Sequence, residues 1–188
     1  MRSLIFQINV TPDGRCDHSA VIADDELHRY ALRTLELADT VLFGRPTYQL
    51  FESYWPQVAA SGTGLSAVDE FARKLSPMAK VVFSKTLTEA GWNTRVVRDD
   101  PVEEVLRLKQ QKGKGLLIFG SPTLAATLRN AQLIDEYRFL LQPMVVGTGP
   151  MLFGHAAQRL DLTLQSATPF QSGVVALHYH SQPQRPLG

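Results

Sequence analysis

Two hydrophobic periods alternate along the first two thirds of the chain. Short continuous apolar runs predict buried strands at residues 3–10, 41–43, 79–83 and 115–119, and a shorter strand at 94–98. Between them, apolar residues at helical spacing predict helices after an N-cap at Asp24 or Asp25, directly after Gly44, and at residues 67–75, 101–112 and 123–131. Alternating strands and helices with apolar strands are typical of a mostly parallel sheet covered on both faces.

The last third of the chain has a different pattern. Apolar residues alternate in a long run at 134–146, and again at 160–168 and 173–180, where they predict neighbouring strands of a hairpin that close the sheet antiparallel. We expect residues 53–66 to be irregular, since they contain Pro56 and two glycines, and we expect the tail 181–188 to fray. The prediction is therefore one α/β domain over residues 1–180.

Composition excludes several kinds of partner and compartment. The chain has 188 residues, is 44% hydrophobic and 20% charged, and carries a formal net charge of +1, so neither nucleic acid nor an anionic membrane is the expected partner. With Cys16 as its single cysteine it cannot form an internal disulfide. No signal-peptide pattern or long apolar run is present, and we therefore predict a cytoplasmic protein.

The junction between the second strand and its helix has the chemistry of an anion site. Gly44 ends the strand, and Arg45-Pro46-Thr47 begin a helix whose first N–H groups have no partner inside the helix. The helix dipole, the charge of Arg45 and the hydroxyl of Thr47 all favour a phosphate there. An ordinary helix start with a solvated arginine would have the same sequence.

Two other strand ends resemble this junction. Ser84-Lys85-Thr86 follows one predicted strand and Gly120-Ser121-Pro122-Thr123 follows another. Ligands of open α/β sheets bind beyond the carboxyl ends of the strands, where these junctions would meet. Together they predict a site for one ligand that carries several phosphates.

Five motifs, in this order, resemble the dihydrofolate reductase fold, and within it the reductase domain of the bifunctional riboflavin-biosynthesis deaminase-reductase and its single-domain bacterial relatives. The motifs are PDG at 12–14, VLFGRPTY at 41–48, VVFSKTL at 81–87, LLIFGSPTL at 116–124 and LIDEYRFLLQPMVVGTGPMLF at 133–153. The resemblance covers about residues 2–180. It is specific for fold and cofactor and poor for substrate.

The resemblance implies an NADPH site. By analogy, Arg45 faces the adenosine 2′-phosphate with Ser84 and Lys85 on the other side of that pocket, and Asn9 and Val10 lie near the nicotinamide. The pyrophosphate is held by Thr47 and by the turn and helix start of the third junction, which are Gly120, Ser121, Thr123 and Leu124. Two cations near the 2′-phosphate favour NADPH over NADH, because that phosphate is the only additional charge to recognise.

The chain departs from the family pattern in two places. The third junction commonly carries two consecutive glycines, and here the second is Ser121, so that this turn must change conformation or carry strain. The H-x-E and P-C-x-x-C pattern of a zinc deaminase is absent, which means that the deaminase half of the riboflavin enzyme is missing.

Three acidic or imidazole side chains are candidates to supply the proton that a reduction needs. In dihydrofolate reductase a carboxylate at the start of the first helix faces the pterin, and Asp25 lies in the corresponding region, although helix capping and first-turn charge explain Asp24 and Asp25 equally. Asp17 and His18 in the preceding loop are the alternatives. His155, His178 and His180 lack a matched further ligand, so we predict no metal site.

The sequence therefore predicts an NADPH-dependent reductase that transfers hydride to a small heterocyclic, pterin- or pyrimidinone-like, or carbonyl substrate. A non-catalytic NADPH-binding or interaction module on the same fold is the alternative, and true dihydrofolate reduction is a third possibility. By family analogy we also predict a homodimer, with Phe139, Leu141 and Met144 of the end strands at the interface.

Overall fold

The computed structural model describes residues 1–154 and 159–182. Within them the chain forms one eight-stranded sheet and six helices. The strands are β1 Leu4–Val10, β2 Ala38–Gly44, β3 Ala79–Phe83, β4 Thr94–Val97, β5 Gly115–Phe119, β6 Glu136–Leu141, β7 Leu162–Pro169 and β8 Val175–Ser181. The helices are α1 Asp25–Glu36, α2 Arg45–Glu52, α3 Trp55–Ser61, α4 Ser66–Leu75, α5 Pro101–Gln110 and α6 Pro122–Asn130.

The sheet order is β4-β3-β2-β5-β1-β6-β8-β7. The first six of these strands run parallel, and β8 and β7 complete the sheet antiparallel. The predicted α/β architecture with antiparallel C-terminal strands is thereby confirmed. Because β2, β5 and β1 are neighbours, the loops that follow them meet at one edge of the sheet.

Each face of the sheet is covered by helices. On one face, α5 and α6 pack against β1 and β5 through residues such as Val105, Leu128 and Phe6. On the other face, α1 and α4 pack against the same strands through Leu35, Phe71 and other fully buried side chains. The central strands β2 and β5 are buried on both sides, which explains why they are apolar runs without polar alternation.

Two features of the structure differ from the sequence prediction. Residues 53–66 are not irregular, because α3 occupies Trp55–Ser61 with Pro56 in its first turn, a position that needs no N–H donor. The long run predicted at 134–146 ends as a strand at Leu141, where β8 stops pairing with it.

Other helix and strand boundaries lie at or near the positions that the sequence predicts. Asp24 is the N-cap of α1, where its carboxylate accepts a hydrogen bond from the Leu27 N–H at 2.8 Å. β7 and β8 form the predicted hairpin, and β8 continues one residue beyond the predicted strand to Ser181. The greater part of the predicted tail, 183–188, and His155 lie outside the described residues. Within residues 1–154 and 159–182, no helix combines the length and the apolar composition needed to cross a membrane.

Candidate active site

A cleft of about 890 Å³ opens at the carboxyl ends of β1, β2 and β5, on the face that α1 and α4 cover. The residues predicted for a site that line it share this position at strand ends or helix starts. They are Asn9, Asp17, His18, Gly44, Thr47, Gly120, Ser121, Thr123 and Leu124. The cleft therefore brings together residues from the first 20 positions of the chain and from two strand-to-helix junctions.

The junctions after β2 and β5 are joined directly by hydrogen bonds. The Gly44 N–H donates to Ser121 Oγ at 3.0 Å, and the Ser121 N–H donates to Thr47 Oγ1 at 3.1 Å. The Ser121 hydroxyl in turn donates to the Phe119 carbonyl at 3.2 Å. These bonds fix the two helix starts against one another, as expected for adjacent strands.

The turn at Gly120 and Ser121 keeps a left-handed backbone at both residues. Gly120 has a φ of 54° and Ser121 a φ of 52°, so the serine adopts the conformation that glycine would adopt more easily. The sequence predicts either a changed backbone conformation or strain where serine replaces the second glycine. The structure has the strained alternative, since Ser121 keeps the left-handed conformation. The three hydrogen bonds of Ser121 offset that strain.

Both helix starts present unsatisfied N–H groups to the cleft. Neither α2 nor α6 has a side-chain cap, and each has a proline in its first turn. The remaining first-turn donors include the N–H groups of Thr47, Thr123 and Leu124, which line the cleft. Two uncapped positive helix ends on neighbouring strands form a suitable site for a pyrophosphate.

The predicted 2′-phosphate residues lie beyond the ends of β2 and β3, outside the cleft lining. Arg45 is exposed, and its Nη1 donates to Thr86 Oγ1 at 2.7 Å, which joins the junction after β2 to the loop after β3. Ser84 Oγ organises that loop by accepting from the N–H groups of Thr86 and Leu87. Lys85 is exposed on the same loop. The structure thus places both cations at one surface, next to the uncapped start of α2.

The opposite wall of the cleft is aromatic. Trp55 and Phe71 pack with ring centroids 4.6 Å apart, and Phe51 stacks on Phe119 at 5.9 Å. Tyr54 and Leu50 add half-exposed apolar surface at the rim. These side chains come from α2, α3, α4 and β5. A planar ring is the ligand that such a wall favours.

Asp17 and His18 line the mouth of the cleft, as the sequence predicts. His18 is largely exposed, with its Nδ1 3.7 Å from Asp17 Oδ1. Hydrogen bonds from the Ser19 hydroxyl and N–H lower the pKa of Asp17, so this carboxylate is ionised at neutral pH and carries no proton to donate. Burial raises the pKa of the neighbouring Cys16 thiol, which fits the absence of any activating partner in the sequence.

α1 directs His28 into the cleft instead of Asp25. Asp25 points to the surface and pairs with Arg29 at 2.6 Å, whereas His28 is 9% exposed and lies edge-on to Trp55 with ring centroids 6.2 Å apart. Its Nδ1 lies 2.7 Å from the Asp24 carbonyl oxygen. A carbonyl only accepts, so Nδ1 carries the hydrogen. Nε2 has no hydrogen-bond partner among the described residues.

Sequence reasoning missed His28, although a signal for it existed. Positions 28, 31 and 35 share one face of a helix, and the apolar residues Ala31 and Leu35 mark that face as the buried one. A histidine on that face, near the helix start, is directed at the end of the sheet where the cleft lies. Asn9 lines the cleft as predicted, but Val10 is buried and does not.

A second loop closes the cleft mouth. The Gly147 N–H donates to Asp13 Oδ2 at 2.8 Å, the Cys16 N–H donates to the Pro150 carbonyl at 2.9 Å, and Pro150 itself lines the cleft. The loop after β6 is therefore docked on the loop after β1, at the same edge of the sheet as the cleft.

Fold and site together define an α/β protein of the dihydrofolate-reductase-like class. The family model of the RibD C-terminal domain matches residues 2–176, and the chain belongs to that family. It is 34% identical to the uncharacterized protein YyaP of Bacillus subtilis (strain 168) over 146 residues, which are 78% of this chain and 76% of YyaP.

Solved structures share the fold at low sequence identity. A pyrimidine reductase-like protein from Corynebacterium diphtheriae superposes with a TM-score of 0.68 at 12% identity, over 97% of this chain and 93% of that one. A diaminohydroxyphosphoribosylaminopyrimidine deaminase/5-amino-6-(5-phosphoribosylamino)uracil reductase from Thermotoga maritima superposes with a TM-score of 0.67 at 15% identity, over 96% of this chain and 57% of that one. These likenesses confirm the predicted fold.

Proposed function

We propose that the protein is an NADPH-dependent reductase of a small planar heterocyclic or carbonyl substrate. The observation that carries the proposal is the pair of uncapped helix starts at Thr47 and Thr123, which lie on neighbouring strands and face an aromatic wall across one cleft. The family adds support, since a relative of this fold is named as a uracil-type reductase. Arg45 and Lys85 supply the charge that favours the 2′-phosphate of NADPH.

Each part of the cleft has a task in this reaction. Bound NADPH supplies a hydride to the C=N or C=O carbon. The helix starts hold the pyrophosphate, and the aromatic wall orients the substrate ring and keeps water away from it. In its imidazolium form, with a hydrogen on both ring nitrogens, His28 donates the Nε2 proton to the substrate nitrogen or oxygen and returns to the neutral form that keeps the Nδ1 hydrogen on the Asp24 carbonyl. Asp17 is ionised and Asp25 points to the surface, so neither competes for this role.

Away from the two helix starts that are proposed to hold the pyrophosphate, the cleft offers no basic side chain for a phosphate group of the substrate. Among residues 1–154 and 159–182, none of those that line the cleft is a lysine or an arginine. Along the loop after β1, the nearest cation, Arg15, donates instead to the Gly149 carbonyl at 3.0 Å and lies 3.9 Å from Asp13. A phosphoribosyl group would have no lysine or arginine partner along the aromatic wall of the cleft. We therefore propose an uncharged pterin, pyrimidinone or carbonyl compound.

The first experiment is a titration of the protein with NADPH and, separately, with NADH. Arg45→Ala should weaken NADPH binding by about tenfold or more, which is roughly 1.4 kcal/mol, and should leave NADH binding unchanged. Arg73→Ala on α4 is the matched control, since this exposed arginine lies outside the cleft lining. Absence of binding by either nucleotide would overturn the proposal.

A non-catalytic NADPH-binding module is the competing function. It predicts tight NADPH binding without turnover when pterins, pyrimidinones and simple carbonyls are screened. True dihydrofolate reduction has less support, because the carboxylate at the start of α1 pairs with Arg29 at the surface. Oxidation of NADPH that depends on dihydrofolate would revive it.

The homodimer stays a prediction. Phe139 packs against the core cluster under α6, so it offers little free surface, whereas β7 is exposed along most of its length and forms an open sheet edge. We propose that this edge is the dimer contact. Sedimentation of the protein as a monomer at micromolar concentration would refute it.

A further inference from the structure

A cluster of imidazole and carboxylate groups lies at the end of the sheet remote from the cleft. Glu136 begins β6, and its register partner across the antiparallel pair is His180 of β8. His178 precedes His180 by two residues and therefore projects from the same face of the sheet. β6 runs parallel to β1, so its first residue is at the opposite edge from the cleft.

The three side chains are already close together. One ligand atom from each lies within 4.8 Å of the others, and His178 Nε2 donates to Glu136 Oε2 at 3.1 Å. The rings of His178 and His180 are 5.1 Å apart at their centroids. Glu136 and His178 are partly buried and His180 is exposed, so that two ligands are held in place and the third can rotate.

Two imidazoles and one carboxylate are a ligand set that divalent zinc prefers. Tetrahedral zinc with ligand bonds of about 2.0–2.2 Å needs ligand atoms roughly 3.3–3.6 Å apart. The Glu136–His178 contact already has nearly that separation, and a rotation of the exposed His180 side chain supplies the third ligand. We propose that Glu136, His178 and His180 form a zinc site, with water at the fourth position, that links β6 to β8.

The Arg138 guanidinium is a cation that competes with zinc for the Glu136 carboxylate. Its Nη2 lies 3.0 Å from Glu136 Oε2, and its Nη1 donates to Thr34 Oγ1 at 3.4 Å. Zinc would displace the guanidinium from Glu136. The two states are exclusive at Glu136 Oε2, so Arg138 lowers the affinity of the site.

A metal-bound imidazole coordinates through a ring nitrogen that carries no hydrogen. Without the metal, the Nε2 hydrogen of His178 is donated to Glu136 Oε2. On binding, the hydrogen on Nε2 of His178 must move to Nδ1, which leaves Nε2 free for the metal.

The test is a zinc titration of the untagged full-length protein against a chelating dye, followed by thermal unfolding with and without zinc. We expect one zinc ion per chain and a higher unfolding temperature when zinc is bound. Glu136→Gln and His180→Ala should each weaken binding by at least about tenfold. Arg138→Met should strengthen it, because the competing cation is removed.

Two control variants separate this site from other possible zinc ligands. His18→Ala and Cys16→Ser remove the imidazole and the thiol at the cleft mouth and should leave zinc affinity unchanged. NADPH affinity should not respond to zinc, since the site is at the other edge of the sheet. No zinc binding, binding that survives Glu136→Gln and His180→Ala, or weaker binding in Arg138→Met would each overturn the proposal. His180 is exposed, so its variant should retain the fold.

Discussion

The two halves of the cleft are built in different ways. The half proposed to bind NADPH, the cofactor half, consists of backbone N–H groups and small side chains, such as Gly44, Thr47 and Ser121, at two strand-to-helix junctions. The half proposed to bind the substrate, the substrate half, consists of large side chains, including His28, Trp55 and Phe71, carried by three different helices. One half is made by local chain geometry and the other by packing.

This difference separates the effects that substitutions should have. In the cofactor half, a change that moves the backbone weakens nucleotide binding whatever the new side chain is. In the substrate half, the side chains can be replaced without disturbing the helix starts, so nucleotide binding should survive while substrate recognition is lost. The predictions that follow test that separation.

The largest effect is expected from His28→Gln in the substrate half. Glutamine keeps a polar group of similar reach but takes up no proton, so the rate of hydride transfer should fall by about 10²–10⁴-fold while NADPH affinity is unchanged. The measurement is single-turnover oxidation of bound NADPH with a substrate found by screening. A loss of NADPH binding in this variant would show that the two halves are not separable.

Asp17→Asn gives the control for His28. Asp17 has a lowered pKa, because the Ser19 hydroxyl and N–H bond its carboxylate, so it is ionised at neutral pH and carries no proton to donate. Asp17→Asn should therefore leave the rate of hydride transfer within about twofold of wild type, whereas His28→Gln lowers it. The reverse result would assign the proton to the loop.

Gly120→Val should have the next largest effect, in the cofactor half. The φ of Gly120 is 54°, and a Cβ there would approach Thr47 Cγ2 to 3.2 Å. Strain of about 1–3 kcal/mol would shift the turn. Misplaced N–H groups at Thr123 and Leu124 should then raise the NADPH dissociation constant by about 100-fold, as expected for two charge-assisted hydrogen bonds.

Gly147→Val is a suitable comparison for Gly120→Val. Gly147 also has a positive φ, of 72°, but no atom lies within 4 Å of its added Cβ, and it lies in the loop after β6 instead of a helix start. Its strain should lower stability without a comparable loss of NADPH affinity. Equal losses in the two variants would mean that backbone strain anywhere near the cleft disturbs the cofactor half.

The sequence pointed to the two helix starts of the cleft more clearly than to its aromatic wall, because the helix starts are local in the chain. A strand end, a glycine and a helix start are contiguous, so Gly44–Thr47 and Gly120–Thr123 can be recognised as motifs. The aromatic wall is assembled from positions 51, 55, 71 and 119, which are far apart in the chain. No local sequence pattern indicates that these side chains are in contact. α3 was missed because Pro56 was interpreted as a helix breaker although it lies in a first turn.

Asp25 and His28 show the limit of motif transfer. A family pattern indicated an acidic residue at the start of α1, and helix geometry places that carboxylate at the surface beside Arg29. Three residues further on, the same helix directs an imidazole at Trp55. The spacing of apolar residues along α1 shows which side chains face inward. This spacing was a better guide to the side chain in the cleft than the type of residue was.

Trp55→Ala should have an intermediate effect, confined to the substrate half. Trp55 is only partly buried, so removal of its contacts with Phe51, Phe71 and His28 should lower the free energy of unfolding by about 2 kcal/mol, below the range for fully buried aromatic residues. Chemical denaturation gives this value. NADPH affinity should stay within about twofold of wild type, or 0.4 kcal/mol.

Trp92→Phe provides the matched control for Trp55→Ala. Trp92 lies away from the cleft, where its ring contacts the Lys80 ammonium at 4.1 Å. This variant leaves Trp55 as the only tryptophan, so fluorescence then reports on the substrate half directly. Quenching by a candidate substrate in Trp92→Phe, at the wild-type affinity, would support stacking on the aromatic wall; no quenching would contradict it.

The smallest effect is expected from Ser121→Gly, which restores the second glycine of the family pattern. Glycine relieves the cost of the left-handed φ of 52°, worth roughly 1 kcal/mol, but removes the Oγ that accepts from the Gly44 N–H, worth about the same. The free energy of unfolding should change by less than about 0.5 kcal/mol, as measured by denaturation. Ser121→Ala removes the same oxygen and keeps the strain, so it should lose about 1 kcal/mol. Wild-type stability in Ser121→Ala would show that the hydroxyl, and with it the hydrogen bond from the Gly44 N–H, contributes nothing to the cofactor half.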